Sequence, residues 1–119
     1  MEARFDHQRL DVYQAAVKFA GWRRHLVGAL PGGNADLANQ IARASTSIVL
    51  NIAEGCGEFS RPDRVRFYRM ARRSAAECAA VLDLVEELDL SPARTLEDGR
   101  ALLSRIIAML TALSRQPMK

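Results

Sequence analysis

The sequence predicts an all-α protein: an up-down-up-down antiparallel four-helix bundle forming a single domain over residues 1–119. The first reason is composition, because apolar residues make up 49% and aromatic residues only 6%, while Ala, Leu and Arg favour helices. The second is periodicity, since apolar residues recur at spacings of three and four in four separate segments. The third is that the breaks between these segments are short, so neighbouring helices should run antiparallel.

Proline and glycine delimit the first two helices. Helix one is predicted over about residues 10–30, and the Pro-Gly-Gly of residues 31–33 ends it, because these residues interrupt helices. Helix two should follow Asn34, a good N-cap, and end at Gly55 or Gly57, since glycine suits a helix C-terminus. The inward residues expected in helix one are Val12, Ala16, Phe19, Leu26 and Leu30, bordered by Ala15, Trp22 and Val27.

Helix three is the longest predicted element. Ser60 should cap it, with Pro62 in the first turn, and it should extend to about Leu88. Asp63, three residues after the cap, complements the helix dipole. The inward residues expected here are Phe67, Met70, Ala71, Ser74, Cys78, Val81, Leu82, Val85 and Leu88.

Helix four follows a break at Ser91 and Pro92. Thr95 and Asp98 resemble a capping box, which predicts that the helix starts there and runs to about Ser114. The inward residues expected in this helix are Leu102, Leu103, Ile106, Met109, Leu110 and Leu113.

Helix two carries two ordered stripes instead of one. Its apolar face, read at helical pitch, is formed by Leu37, Ile41, Ala44, Ile48 and Ile52. A polar seam lies directly beside it and consists of Gln40, Arg43, Ser47, Asn51 and Glu54. The seam is open to two interpretations: the solvated flank of an amphipathic helix, or a line of hydrogen bonds to a neighbouring helix or subunit.

The net charge is only +3, but charge is distributed unevenly along helix three. The second half of the helix is acidic, whereas the first half holds one acid, Asp63, and six arginines: Arg61, Arg64, Arg66, Arg69, Arg72 and Arg73. Guanidinium groups suit phosphate, and a basic stripe is typical of nucleic-acid binding, here through the backbone because no base-reading motif is present. Alternatively, these arginines only solvate the helix or pair with a neighbouring subunit's acids.

No motif indicates catalysis, so we predict that the protein is not an enzyme and uses no metal and no cofactor. The two His and two Cys residues form no zinc-site spacing, and the glycines match no phosphate-binding loop. The N-terminal segment is polar and no apolar run could span a bilayer, which predicts a cytoplasmic location. In that compartment Cys56 and Cys78 should be reduced thiols.

Glu54 and Glu77 are the best candidates for acid chemistry, because both are expected to be partly buried. A structural role is favoured, in which Glu54 caps or bridges helices by pairing with Arg23 or Arg43. Arg23 falls within the apolar face of helix one, and a carboxylate partner would reduce the cost of burying it.

Three segments resemble a known family. Residues 9–20 read RLDVYQAAVKFA, residues 40–57 read QIARASTSIVLNIAEGCG, and residues 67–83 read FYRMARRSAAECAAVLD. Together they resemble the small four-helix-bundle proteins first noted as open reading frames in intervening sequences of large-subunit ribosomal RNA genes. The resemblance covers nearly the whole chain and is weakest in helix four.

The resemblance implies a homopentamer of left-handed bundles. It also implies similarity to the accessory variability protein of diversity-generating retroelements, a basic pentameric barrel that binds nucleic acid and a reverse transcriptase. Within the bundle or between subunits, Ser74 and Glu77 would then meet the polar seam. The chain departs from the family pattern at Val49, where Pro is common, at Glu58, where a basic residue is common, and at Arg73, where Gly is common.

These observations predict a non-enzymatic, homo-oligomeric accessory protein, a pentamer by resemblance, that contacts RNA or DNA backbones through its basic helix surface. The alternative is an oligomeric scaffold that binds another protein, such as a reverse transcriptase, and no nucleic acid. No membrane partner is expected. Salt discriminates between the two hypotheses, because backbone binding by several arginines weakens steeply as the salt concentration rises.

Overall fold

The computed structural model describes residues 2–115, and within them it contains helices and no strand. The elements are a short 3-10 helix (Asp6–Arg9), α1 (Asp11–Ala29), α2 (Ala35–Gly57), α3 (Arg61–Glu87) and α4 (Ala93–Arg115). The prediction of an all-α four-helix bundle is confirmed.

The four helices follow one another around the bundle. α2 packs against α1 and α3, α4 packs against α3 and α1, and α2 and α4 occupy diagonal positions. The bundle measures 49 × 28 × 22 Å, and its most extensive contact joins α2 to α3. Over residues 2–115, no helix is both long enough and apolar enough to cross a membrane.

The core is a continuous cluster of side chains from all four helices. Its largest fully buried apolar members include Phe19, Ile41, Ile48, Ile52, Leu82, Leu96, Leu103, Ile106 and Leu110. The apolar faces predicted for helices one and two are thus confirmed, with Leu30 and Leu37 packed at the margins of the core.

The predicted N-cap residues of α2 and α3 both stand at the start of their helix, but only the one of α3 caps it with its side chain. The Asp63 backbone N–H donates to Ser60 Oγ at 3.3 Å, and the Ser60 hydroxyl donates to Asp63 Oδ2 at 2.9 Å, so the predicted cap is confirmed. Asn34 occupies the N-cap position of α2, but its side chain donates to the Pro31 carbonyl at 2.8 Å and does not cap the helix.

α4 begins at Ala93, so the predicted start at a Thr95 capping box is wrong. The Thr95 hydroxyl instead donates to the Pro92 carbonyl at 2.7 Å, which places Thr95 inside the first turn. Leu96 and Gly99, in the first two turns of the helix, are buried in the core. A Cβ at Gly99 would overlap the ring of Trp22, so glycine is required there by packing.

The inward face of α3 differs from the predicted one at both ends. Met70 and Leu88 were expected in the core but are 42% and 55% exposed, whereas Val65 and Tyr68 are buried. The physical reason is that α3 carries two adjacent apolar stripes. The stripe that contains the small Ala71 is buried because it lets the neighbouring helices approach α3 more closely. The second stripe remains on the surface beside α2.

Candidate functional surfaces

Polar side chains join α2 to α3 near the middle of their contact. The hydroxyls of Ser47 and Ser74 lie 2.8 Å apart, within hydrogen-bond distance. The Asn51 amide donates to the Ser47 carbonyl at 2.9 Å and to Ser47 Oγ at 3.0 Å. All three residues are half-buried. This part of the predicted polar seam therefore meets Ser74 of the same chain.

The rest of the predicted seam does not form one continuous line of contacts. Arg43 and Glu77 pair at 3.8 Å, but their side chains are 76% and 41% exposed. Gln40 and Glu54 are exposed, and neither side chain forms a hydrogen bond or ion pair with residues 2–115. The expectation that Glu54 is partly buried and bridges helices is wrong, because it lies on the outward side of α2.

Arg23 has a hydroxyl partner instead of the expected carboxylate. Its Nε donates to Ser45 Oγ at 3.0 Å, and the Ser45 hydroxyl donates to the Ala42 carbonyl at 3.1 Å. Ser45 is fully buried on the inner face of α2, and sequence reasoning missed it. The sequence did contain a signal for this contact: Ser45 lies among the inward positions of helix two, and Arg23 lies within the apolar face of helix one.

Large apolar side chains are exposed around the Ser47–Asn51–Ser74 network. Leu50 on α2 and Met70 and Leu84 on α3 project from this side, since positions 70, 74, 77 and 84 share one strip of α3. Leu88 is the C-cap residue that follows the helix. Shallow grooves of about 540 and 440 Å³ run along it, both touching Ser47 and Asn51. We call this surface the α2/α3 face: the Ser47–Asn51–Ser74 network, the Arg43–Glu77 pair, and exposed Leu50, Met70, Leu84 and Leu88.

Three of the six predicted nucleic-acid-binding arginines contact protein groups. Arg61 donates to the Leu113 carbonyl at 3.2 Å, at the end of α4, and Arg72 donates to Thr111 Oγ1 at 3.3 Å. Arg64 donates to the carbonyl of Phe59 at 2.7 Å and to that of Glu58 at 3.3 Å. Arg61 and Arg72 supply positive charge where the last carbonyls of α4 are exposed, and Arg64 fixes the α2–α3 turn.

The other three, Arg66, Arg69 and Arg73, are exposed and form no salt bridge with any carboxylate of residues 2–115. The Arg66 guanidinium lies over the Phe67 ring, 4.9 Å from its centroid. The structure adds one arginine that sequence reasoning missed, Arg115 at the end of α4.

The arginines of α3 and α4 converge on one cleft. It has a volume of about 380 Å³ and is lined by Arg69, Arg72, Arg73, Ser114 and Arg115. We call it the arginine cleft. Several like charges around one concavity repel one another, and an anion placed there would relieve that repulsion.

A protein-family model, the 23S rRNA-intervening sequence protein, matches residues 8–112 of the chain. The chain belongs to this family. The match covers all of α1, α2 and α3 and most of α4, so the family resemblance of the sequence is confirmed.

A solved structure of another protein has the same fold as this chain. It is the crystal structure of a protein with unknown function from the S23 ribosomal protein family of Bacteroides thetaiotaomicron. The two chains share 23% identity with a TM-score of 0.81, over 88% of this chain and 99% of the other. No curated protein matches the sequence. The comparisons therefore define family and fold and carry no catalytic signature.

The thiols of this family member are not activated. Burial raises the pKa of Cys78 to about 12, with the charge of Glu77 adding to the effect. Burial and the charge of Asp6 also raise the pKa of Cys56, against a smaller opposing effect of Arg64. Raised pKa values leave little thiolate at neutral pH, so neither cysteine has the character of a catalytic nucleophile. Within residues 2–115, no group of three or more His, Cys, Asp or Glu side chains could hold a metal ion.

Proposed function

We propose that this protein is a non-enzymatic, homo-oligomeric accessory protein that contacts the backbone of RNA or DNA through the arginine cleft. The observation that carries the proposal is the convergence of Arg69, Arg72, Arg73 and Arg115 on one concavity, where none of them pairs with a carboxylate of residues 2–115. Guanidinium groups are planar donors that match phosphate oxygens. Contacts to phosphate carry no sequence information, so binding is expected to tolerate sequence changes.

Assembly supports this function, because it multiplies a modest charge. One copy carries a net charge of +3, and several weak contacts presented together raise the apparent affinity. The description of the family, 23S rRNA-intervening sequence protein, refers to a ribosomal RNA gene, which supports RNA as a partner. By its resemblance to the pentameric relatives, five copies are the expected number.

The experiment is a titration of mixed-sequence RNA and DNA oligonucleotides, followed by fluorescence anisotropy, from low to physiological salt. The variant Arg66→Glu/Arg69→Glu/Arg73→Glu should lose binding, and the salt slope should fall by roughly 0.7–0.9 for each phosphate contact removed. The matched control is Arg24→Glu/Arg94→Glu/Arg105→Glu, which makes the same change in net charge at exposed arginines of α1 and α4. This control should retain most of the affinity, because it leaves the cleft intact.

Two results would contradict the proposal. One is that the parent protein binds no oligonucleotide at low salt. The other is that both triple variants lose affinity equally, which would show a general effect of net charge and no localised site. The exposed apolar side chains of the α2/α3 face favour a second candidate function, an oligomeric scaffold that binds another protein, and absence of nucleic-acid binding would leave that candidate in place.

A further inference from the structure

We infer that the arginine cleft binds the terminal phosphate of a nucleic-acid strand, a phosphomonoester, in preference to the phosphodiesters inside the strand. This inference rests on the proposed function and names the chemical group that the cleft recognises. The cleft is lined by Arg69, Arg72, Arg73, Ser114 and Arg115. None of these arginines forms an ion pair with a carboxylate of residues 2–115.

The size of the cleft suits the end of a strand better than a length of it. Its volume is about 380 Å³. That is near the lower end of the roughly 300–1,000 Å³ typical of small-molecule sites. A backbone bound along its length is usually held by an extended basic groove that follows it. The arginines here converge instead on a space for a single phosphate-bearing nucleotide.

The charge around the cleft favours a monoester over a diester. Guanidinium groups stay protonated at neutral pH, so the arginines of the cleft bring four positive charges to one concavity. A backbone diester carries one negative charge. A phosphomonoester has a second pKa of about 6, carries a charge of about −1.5 to −2 at pH 7, and has three strong acceptor oxygens. The monoester therefore relieves more of the repulsion among the arginines and accepts more of their N–H donors.

Ser114 supplies a neutral donor at the same place. Its Oγ is buried and has no hydrogen-bond partner among residues 2–115, and the residue lines the cleft. A buried hydroxyl without a partner is costly, and buried polar groups of this kind are usually satisfied by a ligand or an ordered water. The third terminal oxygen of a monoester, which a diester lacks, could accept this hydrogen bond.

The rest of the strand has a basic route away from the cleft. Arg66, Arg69 and Arg73 are exposed and are spaced by three and four residues, so they form one outward strip on α3. Arg69 and Arg73 belong to the cleft as well, so the strip begins there. The diester phosphates that follow the strand end are assigned to this strip. Arg72 and Arg115 are then left for the terminal phosphate.

The test compares single-stranded RNA oligonucleotides of one mixed sequence that differ only at their ends: a 5′-phosphate, a 3′-phosphate, or hydroxyls at both ends. Fluorescence anisotropy with an internal label measures each affinity. At about pH 7, a phosphate-ended strand should bind roughly tenfold tighter or more than the hydroxyl-ended strand, because hydrogen bonds to charged groups are the stronger ones. The two phosphate positions show which strand end the cleft accepts.

The pH dependence of this preference identifies the monoester as its source. Near pH 5, about one unit below its second pKa, the monoester has regained a proton, whereas diesters and arginines keep their charges. Neither histidine of the chain lines the cleft. The preference should therefore shrink near pH 5, while the affinity for the hydroxyl-ended strand changes little.

Substitutions locate the preference in the cleft. Arg72→Gln/Arg115→Gln should lower the affinity for the phosphate-ended strand to that for the hydroxyl-ended strand. The matched control, Arg94→Gln/Arg105→Gln, removes the same charge from exposed positions of α4 and should keep the preference. Ser114→Ala changes no charge and should reduce the preference by roughly threefold. Far-UV circular dichroism checks that each variant remains helical.

A competitor distinguishes a strand end from a free nucleotide. A 5′-mononucleotide has the same phosphomonoester but no neighbouring diesters for the outward strip. It should therefore displace the labelled strand only in large excess, because the strand adds further contacts to the same binding event.

The outcomes separate this inference from the proposed function. Equal affinity for all three strands, or a preference unchanged near pH 5, would overturn the terminal phosphate as the recognised group and leave backbone binding standing. A preference that persists in Arg72→Gln/Arg115→Gln, or that the control also loses, would overturn its assignment to the cleft. Displacement of the strand by a mononucleotide at equal concentration would overturn a strand end as the ligand. Absence of binding to every strand at low salt would overturn the proposed function and this inference together.

Discussion

The two sides of helix α3 differ in how they use their polar groups. On the α2 side, Ser74 bonds Ser47, and Asn51 bonds the same serine, so the polar groups satisfy one another. Toward α4, Arg72 donates to Thr111 Oγ1, and Arg69 forms no ion pair with a carboxylate of residues 2–115. Arg73 lies between the two sides, because it lines both the arginine cleft and the groove beside Ser47 and Asn51. The Ser47–Asn51–Ser74 network thus has hydrogen-bond partners within the chain, whereas the arginines toward α4 present more N–H donors than nearby acceptors.

This difference indicates two kinds of partner for one helix. A surface with internally satisfied polar groups and exposed Leu50 and Met70 gains most by excluding water, which a protein surface does. The arginine cleft, whose guanidinium groups form no ion pair with residues 2–115, gains most from phosphate oxygens. Substitutions on each side of α3 test this comparison separately.

The largest effect is expected from Gly55→Val, because α2 and α3 approach closely at this position. A Cβ at Gly55 would lie 2.7 Å from Tyr68 Cε1 and 3.2 Å from the Arg64 carbonyl oxygen. The helices must separate or Tyr68 must move, and overpacking of this kind costs about 3 kcal/mol, the upper part of the usual range. Urea unfolding followed by circular dichroism measures the change.

Gly57→Val is the matched control for this prediction. It lies two residues further along the same helix end, and no neighbouring atom lies within 4 Å of a Cβ placed there. Its unfolding midpoint should stay close to that of the parent. If the two variants were equally unstable, the close approach of α2 to α3 would not be the cause.

A smaller effect is expected from Asn51→Leu, which removes the two hydrogen bonds that the amide donates to Ser47. Ser47 keeps Ser74 as a partner, so we expect a loss of about 1 kcal/mol in the free energy of unfolding. Glu54→Leu on the exposed side of α2 should change stability by no more than about 0.5 kcal/mol. Equal values for the two variants would show that the network contributes no more than a solvated polar flank.

The fold was predictable from the sequence because several helix ends have a local determinant. Ser60 with Asp63 starts α3, and the Pro-Gly-Gly of residues 31–33 ends α1. The inward stripe of α3 was not predictable, because the strip containing Met70 and the strip containing Tyr68 both satisfy helical periodicity. The choice between them depends on how closely α2 approaches at Gly55, which is a tertiary contact.

The candidate site was predictable only in part, for the same physical reason. The sequence shows that six arginines lie in the first half of α3, but not which of them are free to bind a ligand. Three of the six contact backbone or side-chain groups of the chain, including the Leu113 carbonyl. Arg115 joins Arg69 only because α4 folds back along α3, and no local pattern in the sequence records that pairing. Ser45, the partner of Arg23, was missed because a carboxylate, and not a hydroxyl, was expected to offset the cost of burying the arginine.

The smallest effect is expected from Arg100→Ala. This substitution tests whether an arginine of α4 that is paired with the acidic half of α3 differs in nucleic-acid binding from the arginines of the cleft. Arg100 donates to Glu86 and, at 3.0 Å, to Asp83, and these hydrogen bonds raise the pKa of its guanidinium. The three side chains are 35–75% exposed, so solvent screens the interaction and its loss should cost less than about 1 kcal/mol. Oligonucleotide affinity should also change little, because an arginine already paired with carboxylates has no free charge for phosphate. A fall in affinity as large as that of Arg69→Ala would show that the acidic half of α3 also contributes to binding, and the contrast between unpaired and paired arginines would no longer explain where nucleic acid binds.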